Sequence, residues 1–83
     1  MATNIHPHVA GRLIERGATT ADVIETVSRG VRIPAKLGRA GFRQDFAFEG
    51  LWRGRYYTTK QVEAYAVMED GDWLVITVIV KFF

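Results

Sequence analysis

The chain contains no cysteine and only two prolines among its 83 residues. Without thiols it can form neither a disulfide framework nor a thiolate metal site, and a reducing compartment suits this composition. The beginning of the sequence also lacks the basic and then apolar pattern of a signal peptide. We therefore expect a cytoplasmic protein.

Long hydrophobic runs and a strong excess of one charge are missing as well. The longest apolar run, near residues 74–80, is far shorter than the roughly 20 residues of a membrane-spanning helix, so we expect no contact with a membrane. Eleven basic and nine acidic residues give a net charge of +2, which permits an anionic partner without demanding one. A hydrophobic content of 48% is ordinary for a globular protein, and we assign residues 1–83 to a single domain.

The strongest structural signal is a β-hairpin formed by residues 56–68 and 73–83. Both segments are rich in β-branched and aromatic residues, and Asp-Gly between them favours a tight turn. Because side chains alternate between faces, the loop length decides which residues share a face. A two-residue turn at Asp70 and Gly71 would set charged residues opposite apolar ones. We therefore predict a three-residue loop, Glu69 to Gly71, with Gly71 in the left-handed conformation.

This loop gives the predicted hairpin one apolar face and one polar face. The apolar face pairs Val62, Ala64 and Ala66 with Val78, Ile76 and Leu74. The polar face carries Gln61, Glu63, Tyr65, Trp73, Thr77 and Lys81. Glu63 is expected directly across from Thr77. Lys60 falls at the end of the apolar row, where it either meets the helices or is turned to the polar face by a bulge.

Two amphipathic helices precede the strands. The first is predicted over residues 5–16 and ends at Gly17. The second begins at Thr19, which forms a capping-box pattern with Asp22, and ends at Gly30. Short helices of this kind need an apolar surface to lie on, and the apolar face of the hairpin provides one.

Two further strands are predicted between the helices and the hairpin. Pro34 confines the first, over residues 31–36, to a sheet edge or a bulge. The second, over residues 42–48, alternates phenylalanines with Arg43, Asp45 and Ala47. The fold class is therefore α+β, with two N-terminal helices on one face of a three- to four-stranded antiparallel sheet. Because the last strand is too apolar for an open edge, either the 31–36 strand or a second copy of the protein should cover it.

The first helix carries the residues with the most evident chemistry. His8, Arg12 and Arg16 recur every four residues, so they fan over about 80° of the helix surface. A neutral imidazole close to a phosphate can serve as the acid or base of a phosphodiester-cleaving enzyme that uses no metal. The arginines could bind that phosphate. The alternative is a solvent-exposed helix face on which Glu15 pairs with the arginines.

Metal binding and base stacking are weaker possibilities. His6 and His8 flank Pro7 with no third ligand nearby, so we predict no metal and no cofactor. Four aromatic residues near strand ends could stack on unpaired bases, although such residues more often belong to a core: Trp52, Tyr56, Tyr57 and Trp73.

The spacing His8-x-x-x-Arg12-x-x-x-Arg16-Gly17, followed by residues 19–27, resembles the opening of a known family. Its members are small bacterial proteins related to the BrnT-like and RelE/ParE-like toxins. The strand Val75-Ile76-Thr77-Val78 is similar to the closing Val-Val-Thr-Val pattern of that family. The resemblance covers most of the chain and implies the helix-then-four-stranded-sheet core of metal-independent ribonucleases. The low net charge and the distinctive segment 42–55 depart from the family pattern.

The resemblance also implies roles for single residues. His8 matches the helix histidine, Arg12 and Arg16 match the helix arginines, and Thr77 matches the strand threonine. Lys60 is similar to a lysine that some members place on a central strand. In active members such residues cleave RNA through attack of the 2′-hydroxyl.

Two functional hypotheses follow from the sequence. The first is a toxin-type ribonuclease that acts on RNA and is paired with an antitoxin-like protein. In it His8, Lys60 and Thr77 are catalytic, whereas Arg12, Arg16 and Tyr65 bind the substrate. The second is a non-enzymatic module on the same fold that binds proteins or forms a homodimer through a sheet edge.

Overall fold

One mixed sheet and three short helices make up the computed structural model, which describes residues 1–83. The elements in chain order are β1 (Thr3–Ile5), α1 (Pro7–Ala10), α2 (Leu13–Arg16), α3 (Thr20–Arg29), β2 (Val31–Ile33), β3 (Ala40–Trp52), β4 (Arg55–Glu69) and β5 (Asp72–Phe82). The strand order is β1-β5-β4-β3-β2, with β1 parallel to β5 and the other neighbours antiparallel. The predicted α+β class is confirmed. None of the helices has the length and apolar character needed to cross a membrane.

The sheet has five strands rather than three or four, and it is not purely antiparallel. The strand absent from the prediction is β1, in which Ile5 pairs with Val75 of β5. The backbone N–H of His6 continues this pairing with a hydrogen bond of 2.9 Å to the carbonyl of Val75. Three residues are too few to show the two-residue alternation of a strand, so the sequence pattern places Ile5 in the helix that follows. β1 therefore covers the outer edge of β5 at residues 73–75. The predicted 31–36 strand does not cover it, because β2 pairs with β3 on the opposite side of the sheet.

The predicted first helix is interrupted. Residues 5–16 form two one-turn helices, α1 and α2, separated by Gly11 and Arg12. Glycine in a helix interior is unfavourable by about 1 kcal/mol relative to alanine, which explains a break at this point. The predicted end of the segment is confirmed, because Gly17 closes α2 with a left-handed φ of 81°.

The helix α3 follows its sequence signals closely. The Thr19 hydroxyl accepts a 3.1 Å hydrogen bond from the Asp22 N–H, and the Asp22 carboxylate accepts one of 3.0 Å from the Thr19 N–H. The predicted capping box is thus present. At the other end, a Cβ on Gly30 would lie 2.3 Å from the Thr26 carbonyl and 2.8 Å from the Arg43 carbonyl. Only glycine allows the chain to pass from α3 into β2 here.

The turn between β4 and β5 has two residues, so the predicted three-residue loop is wrong. Glu69 pairs with Asp72, and only Asp70 and Gly71 lie between them. Both residues have positive φ, 51° for Asp70 and 83° for Gly71. This is the requirement of a type I′ hairpin turn, whose twist matches that of the flanking strands.

With a two-residue turn and regular pairing, charged and polar residues of β4 would lie opposite apolar core residues of β5. A β-bulge in β5 prevents this. Ala66 pairs with Val75 on the turn side of the bulge, and Tyr65 pairs with Thr77 on the other side. Ile76 is therefore an extra residue that shifts the rest of β5 by one position. The apolar residues of β4 keep apolar partners in β5 on both sides of the bulge.

The bulge changes several predicted neighbours. Glu63 lies across from Ile79 and not across from Thr77. Trp73 was predicted on the polar face, but it packs against the core, with its ring centroid 5.5 Å from that of Phe42. The register on the turn side of the bulge differs by one residue from the predicted one, which moves Trp73 to the other face.

A single hydrophobic core joins the helices to the sheet. Its buried residues are Val9, Leu13, Ala18, Val23, Val27, Ala40, Phe42, Val62, Ala64, Ala66, Val75 and Val78. The side chains of the sheet that alternate with these residues lie on the opposite face, which we call the open face. It includes Arg43, Asp45, Gln61, Glu63, Tyr65, Thr77, Ile79 and Lys81. The predicted alternation of β3 is confirmed, since Phe42 is buried and Arg43 and Asp45 are exposed.

Candidate functional site

A cleft of about 200 Å³ lies between the first two helices and β5. Its lining residues are His8, Val9, Arg12, Arg16, Ile76, Thr77 and Val78. Four of the six residues that the sequence singles out therefore meet at one place: His8, Arg12, Arg16 and Thr77. Lys60 and Tyr65 are not among the lining residues.

The break between α1 and α2 positions the helical side of this cleft. His6 is the N-cap of α1, and its Nδ1 accepts a 3.1 Å hydrogen bond from the backbone N–H of His8. Val9 and Leu13 are buried and hold the two helical turns against the core. The imidazole of His8 is left exposed at the cleft. His6 thus has a capping role, in which its ring nitrogen binds a backbone group.

The two arginines of the cleft are not neutralised by acidic side chains. The molecule has a single salt bridge, between Lys60 and Asp22. Glu15 pairs with neither arginine, although the sequence allowed that alternative. Arg16 donates a hydrogen bond to the backbone carbonyl of Val78, a contact that ties α2 to β5. A guanidinium has five N–H donors, so most of those of Arg16 stay available beside Arg12.

The bulge of β5 forms the sheet side of the cleft. Ile76 is the bulged residue, and Thr77 and Val78 come directly after it. The pairing with β1 stops at Val75, so no strand lies along the outer edge of β5 at this point. Thr77 pairs with Tyr65, so strand alternation gives its side chain the same face as Tyr65, and Thr77 borders the cleft through its backbone. The sequence predicted Thr77 as a site residue but missed Ile76 and Val78, because the bulge that brings them to the cleft has no local signature, and it placed Val9 only on the apolar face of the first helix.

Lys60 lies in a different place, on the helix-covered face of the sheet. Its ammonium group is 2.7 Å from the Asp22 carboxylate and 3.2 Å from the Gly17 carbonyl oxygen. It also lies 5.8 Å from the ring centroid of Phe46. Of the two placements that the sequence allowed, the contact with the helices is the one observed.

The pKa of Asp22 reflects its contacts with Lys60 and Thr19. Burial by itself would raise the pKa of the Asp22 carboxyl. The hydrogen bonds from Lys60 and from the Thr19 N–H, together with the positive charge of Lys60, outweigh burial and hold that pKa below its ordinary value. Lys60 and Asp22 therefore connect β4 to the start of α3.

Tyr65 lies on the open face, next to Glu63. Its hydroxyl donates a 3.0 Å hydrogen bond to the Glu63 carboxylate. This hydrogen bond raises the pKa of Tyr65, and burial and the negative charge of Glu63 raise it further. Tyr65 faces Thr77 across β4 and β5, but its hydroxyl is directed to Glu63.

Three of the four aromatic residues proposed to stack on bases pack against other aromatic rings. Trp52 and Tyr57 pack on Phe82, with centroid distances of 5.1 and 5.6 Å. Trp73 packs on Phe42. Only Tyr56, at 61% exposure, presents most of its ring to solvent.

A second and larger cavity, about 400 Å³ in volume, lies at the opposite edge of the sheet. It is lined by Arg29, Gly30, Val31, Arg43, Gln44 and Asp45. The Gln44 amide donates a 2.7 Å hydrogen bond to Glu25, and its carbonyl oxygen is buried without a partner. No motif in the sequence indicates this cavity, because it arises where β2 stops pairing with the long strand β3.

Nowhere in the structure do three His, Cys, Asp or Glu side chains come together in a way that suits a metal ion. No protein-family model, no curated protein and no solved structure matches this chain. The function must therefore be argued from the residues of the cleft and their chemistry.

Proposed function

We propose that this protein is a toxin-type, metal-independent endoribonuclease-like domain that acts on RNA at the cleft between α1, α2 and β5. The observation that supports the proposal is the meeting of His8, Arg12, Arg16 and Thr77 at this one cleft. His8, Arg12 and Arg16 supply an imidazole and two guanidinium groups, whereas Thr77 pairs with Tyr65, so strand alternation directs its hydroxyl to the open face. Together the imidazole and the guanidinium groups are suited to a phosphodiester group.

The proposed reaction is a transfer within the RNA chain. The imidazole of His8 accepts the proton of a ribose 2′-hydroxyl, whose oxygen then bonds to the adjacent phosphorus. The bond from phosphorus to the 5′ oxygen of the next nucleotide then breaks. His8 donates the proton that it took from the 2′-hydroxyl to this leaving 5′ oxygen. The products are a 2′,3′-cyclic phosphate and a free 5′-hydroxyl.

The arginines stabilise the charge that develops in this reaction. The guanidinium of Arg12 has no acidic partner, so its donors are free for the phosphate oxygens. Arg16 contributes the donors that its hydrogen bond to Val78 leaves available. Thr77 borders the cleft from β5, but its hydroxyl has no part in the proposed reaction, because the pairing with Tyr65 turns its side chain to the open face.

The cleft suits the RNA backbone better than a base. Pockets that enclose a whole small molecule have volumes of about 300–1,000 Å³, whereas this cleft has about 200 Å³. A phosphodiester and parts of its two riboses fill such a space, and the bases stay outside it. We therefore expect little preference for sequence.

Lys60 and Tyr65 have no direct part in the proposed reaction. The ammonium group of Lys60 is bound to Asp22 and to the Gly17 carbonyl. The hydroxyl of Tyr65 is bound to Glu63. We propose that Lys60 stabilises the fold and that Tyr65 supports the strand that carries Thr77.

The test is cleavage of total RNA by the purified protein in the presence of EDTA. His8→Ala should lower the rate by about 10²–10⁴-fold, the usual contribution of a general acid or base. His6→Asn is the matched control, because asparagine keeps a capping side chain at α1 while one imidazole outside the cleft is lost. Intact RNA with the wild-type protein, or equal rates for wild type and His8→Ala, would refute the proposal.

A second function is favoured by the free part of the β5 edge. Beyond Val75 this edge has no strand partner, and it runs directly from the cleft. Such an edge suits a non-enzymatic module that pairs with an extended segment of another protein, for example an antitoxin-like partner. Under this alternative, His8→Ala leaves partner binding unchanged, whereas a proline at an outward-facing position of β5 abolishes it.

A further inference from the structure

The outer edge of β5 has no strand partner over residues 78–82, and of its backbone groups the Val78 carbonyl already accepts a hydrogen bond from Arg16. β1 pairs with β5 only as far as Val75, and no other strand follows on that side. The backbone N–H and C=O of Phe83 bond to Thr59 of β4, at 3.0 and 2.8 Å. By strand alternation, the N–H and C=O groups of residues 78, 80 and 82 point away from the sheet. An apolar edge without a strand partner readily accepts another strand, and the Val78 carbonyl can accept a second hydrogen bond beside that from Arg16.

We propose that a second copy of this chain pairs with this edge, antiparallel to β5 and about a two-fold axis at Val80. Val80 then faces the partner's Val80, and Val78 faces the partner's Phe82. On the open face, Ile79 lies across from the partner's Lys81. The same patch serves both copies, so the assembly closes as a dimer.

The identity of the partner follows from the self-complementary character of the strand. Within residues 78–82 the only charged residue is Lys81, and centring the pair at Val80 sets it against an aliphatic side chain. Centring the pair at Lys81 would set two lysines against each other, which is unfavourable. Centring it at Ile79 would set Phe82 against the partner's Ile76. Ile76 is the bulged residue of β5, so the backbone groups of Phe82 would lack a regular partner.

A further apolar surface lies beside the edge. The helix α2 contacts β5, and its residue Ile14 is 88% exposed. Ile79 is 41% exposed. A dimer formed along β5 would bury apolar surface at this edge in addition to the backbone hydrogen bonds.

The pairing also affects the cleft. In this register Val78 lies opposite the partner's Phe82, so the preceding residue, Thr77, lies opposite the partner's Phe83. The partner's Phe83 is thereby placed at the mouth of the cleft. The dimer is therefore the closed form, and the single chain is the form that admits a substrate. This consequence rests on the proposed function, whereas the pairing itself does not.

Sedimentation equilibrium without RNA tests the pairing through one position. Ile79→Lys puts a lysine across from the partner's Lys81 at two symmetric places, which should raise the dimer dissociation constant about tenfold. Ile79→Glu puts an attractive pair there and should leave the dimer at least as tight as the wild type. Combining Ile79→Lys with Lys81→Glu should restore the dimer.

The same variants separate pairing from folding. Within one chain Ile79 faces Glu63, so Ile79→Lys should stabilise the single chain and Ile79→Glu should destabilise it. Thermal unfolding of the dilute, monomeric protein should therefore rank the two variants opposite to their dimer affinities. A wild-type protein that stays monomeric up to about millimolar concentration would overturn the proposal. So would equal dimer affinities for the two variants.

A short oligoribonucleotide with 2′-methoxy groups, which block cleavage, tests the closure of the cleft. Its binding should weaken when the protein concentration rises above the dimer dissociation constant, and Ile79→Lys should remove this dependence. Equal binding to monomer and dimer would refute the closure. A dimer that forms as described, together with no RNA binding in either form, would refute the proposed function and leave the pairing intact.

Discussion

The ammonium nitrogen of Lys60 lies 2.7 Å from a carboxylate oxygen of Asp22, and this pair connects β4 to the first turn of α3. The two side chains are only 12% and 17% exposed, so both charges are largely shielded from water. Asp22 also caps α3 through the Thr19 N–H. Removing either partner leaves the other charge without a counterion in a place that solvent barely reaches.

We therefore predict that Lys60→Met destabilises the protein by about 2 kcal/mol, the cost of leaving a partly buried carboxylate unpaired. Urea unfolding measures this change, with Lys36→Met in the exposed β2–β3 loop as the control. RNA cleavage per folded molecule should stay within about twofold of the wild type. Unchanged stability, or loss of cleavage in a fully folded variant, would contradict the structural role given to Lys60.

The same pair predicts a dependence of stability on pH. The pKa of Asp22 is lowered in the folded protein, so its stabilising effect is complete above its unfolded pKa of about 3.9. The effect is lost as the pH falls from there through the lower, folded value. The difference in free energy of unfolding between wild type and Asp22→Asn should therefore shrink when the pH is lowered from about 6 to about 3. A difference that is constant over this range would show that Asp22 is not held in its charged form by the fold.

The hydrogen bond between Tyr65 and Glu63 predicts a change in the titration of a single tyrosine. Glu63→Gln removes both the charged acceptor and its negative field, so the pKa of Tyr65 should fall toward its ordinary value. The NMR signals of the Tyr65 ring, followed as the pH rises, measure this shift. Glu49→Gln, on the exposed end of β3, is the control. An unchanged Tyr65 titration in Glu63→Gln would mean that the hydrogen bond is not formed in solution.

Gly17 and Gly71 have the same backbone conformation, but we predict that replacing them with alanine changes the free energy of unfolding by different amounts. Gly17 and Gly71 have φ of 81° and 83°. A Cβ on Gly17 would lie 2.7 Å from the Phe82 ring and 3.1 Å from the Trp52 ring, whereas a Cβ on Gly71 would meet nothing within 4 Å. Gly71→Ala should therefore cost about 1 kcal/mol, the cost of the left-handed conformation alone. Gly17→Ala should cost about 2–3 kcal/mol, because the aromatic rings must also move. Equal losses in thermal unfolding would show that the rings are not packed on Gly17.

The sequence predicted those parts of the fold that depend on local chemistry. The Thr19 and Asp22 capping box, the left-handed Gly17 and the alternation of β3 are each fixed within a few residues. These features needed no knowledge of distant neighbours. Counting along the strand placed Lys60 at the end of the apolar row, but the sequence left open whether a bulge turns it to the other face.

The errors came from residues whose structure depends on other parts of the chain. β1 has three residues and exists because the start of β5 offers it a partner. The turn chemistry of Asp70 and Gly71 conflicts with the alternation of faces in the hairpin. The sequence shows this conflict, but it does not show that a bulge at Ile76 resolves it. The cleft depends on that bulge and on the break at Gly11, so its full lining could not be predicted.

In the proposed reaction, the cleft of His8, Arg12 and Arg16 directs a ribose 2′-hydroxyl onto the neighbouring phosphorus. The most direct test uses one oligoribonucleotide and its fully 2′-deoxy counterpart, each incubated with the protein in EDTA, with the products identified by mass spectrometry. We predict that only the ribonucleotide is cleaved, that its fragments end in 2′,3′-cyclic phosphate, and that His8→Ala lowers the rate by at least about 10²-fold while His6→Asn does not. Cleavage of the deoxy strand, or an undiminished rate for His8→Ala, would contradict the account.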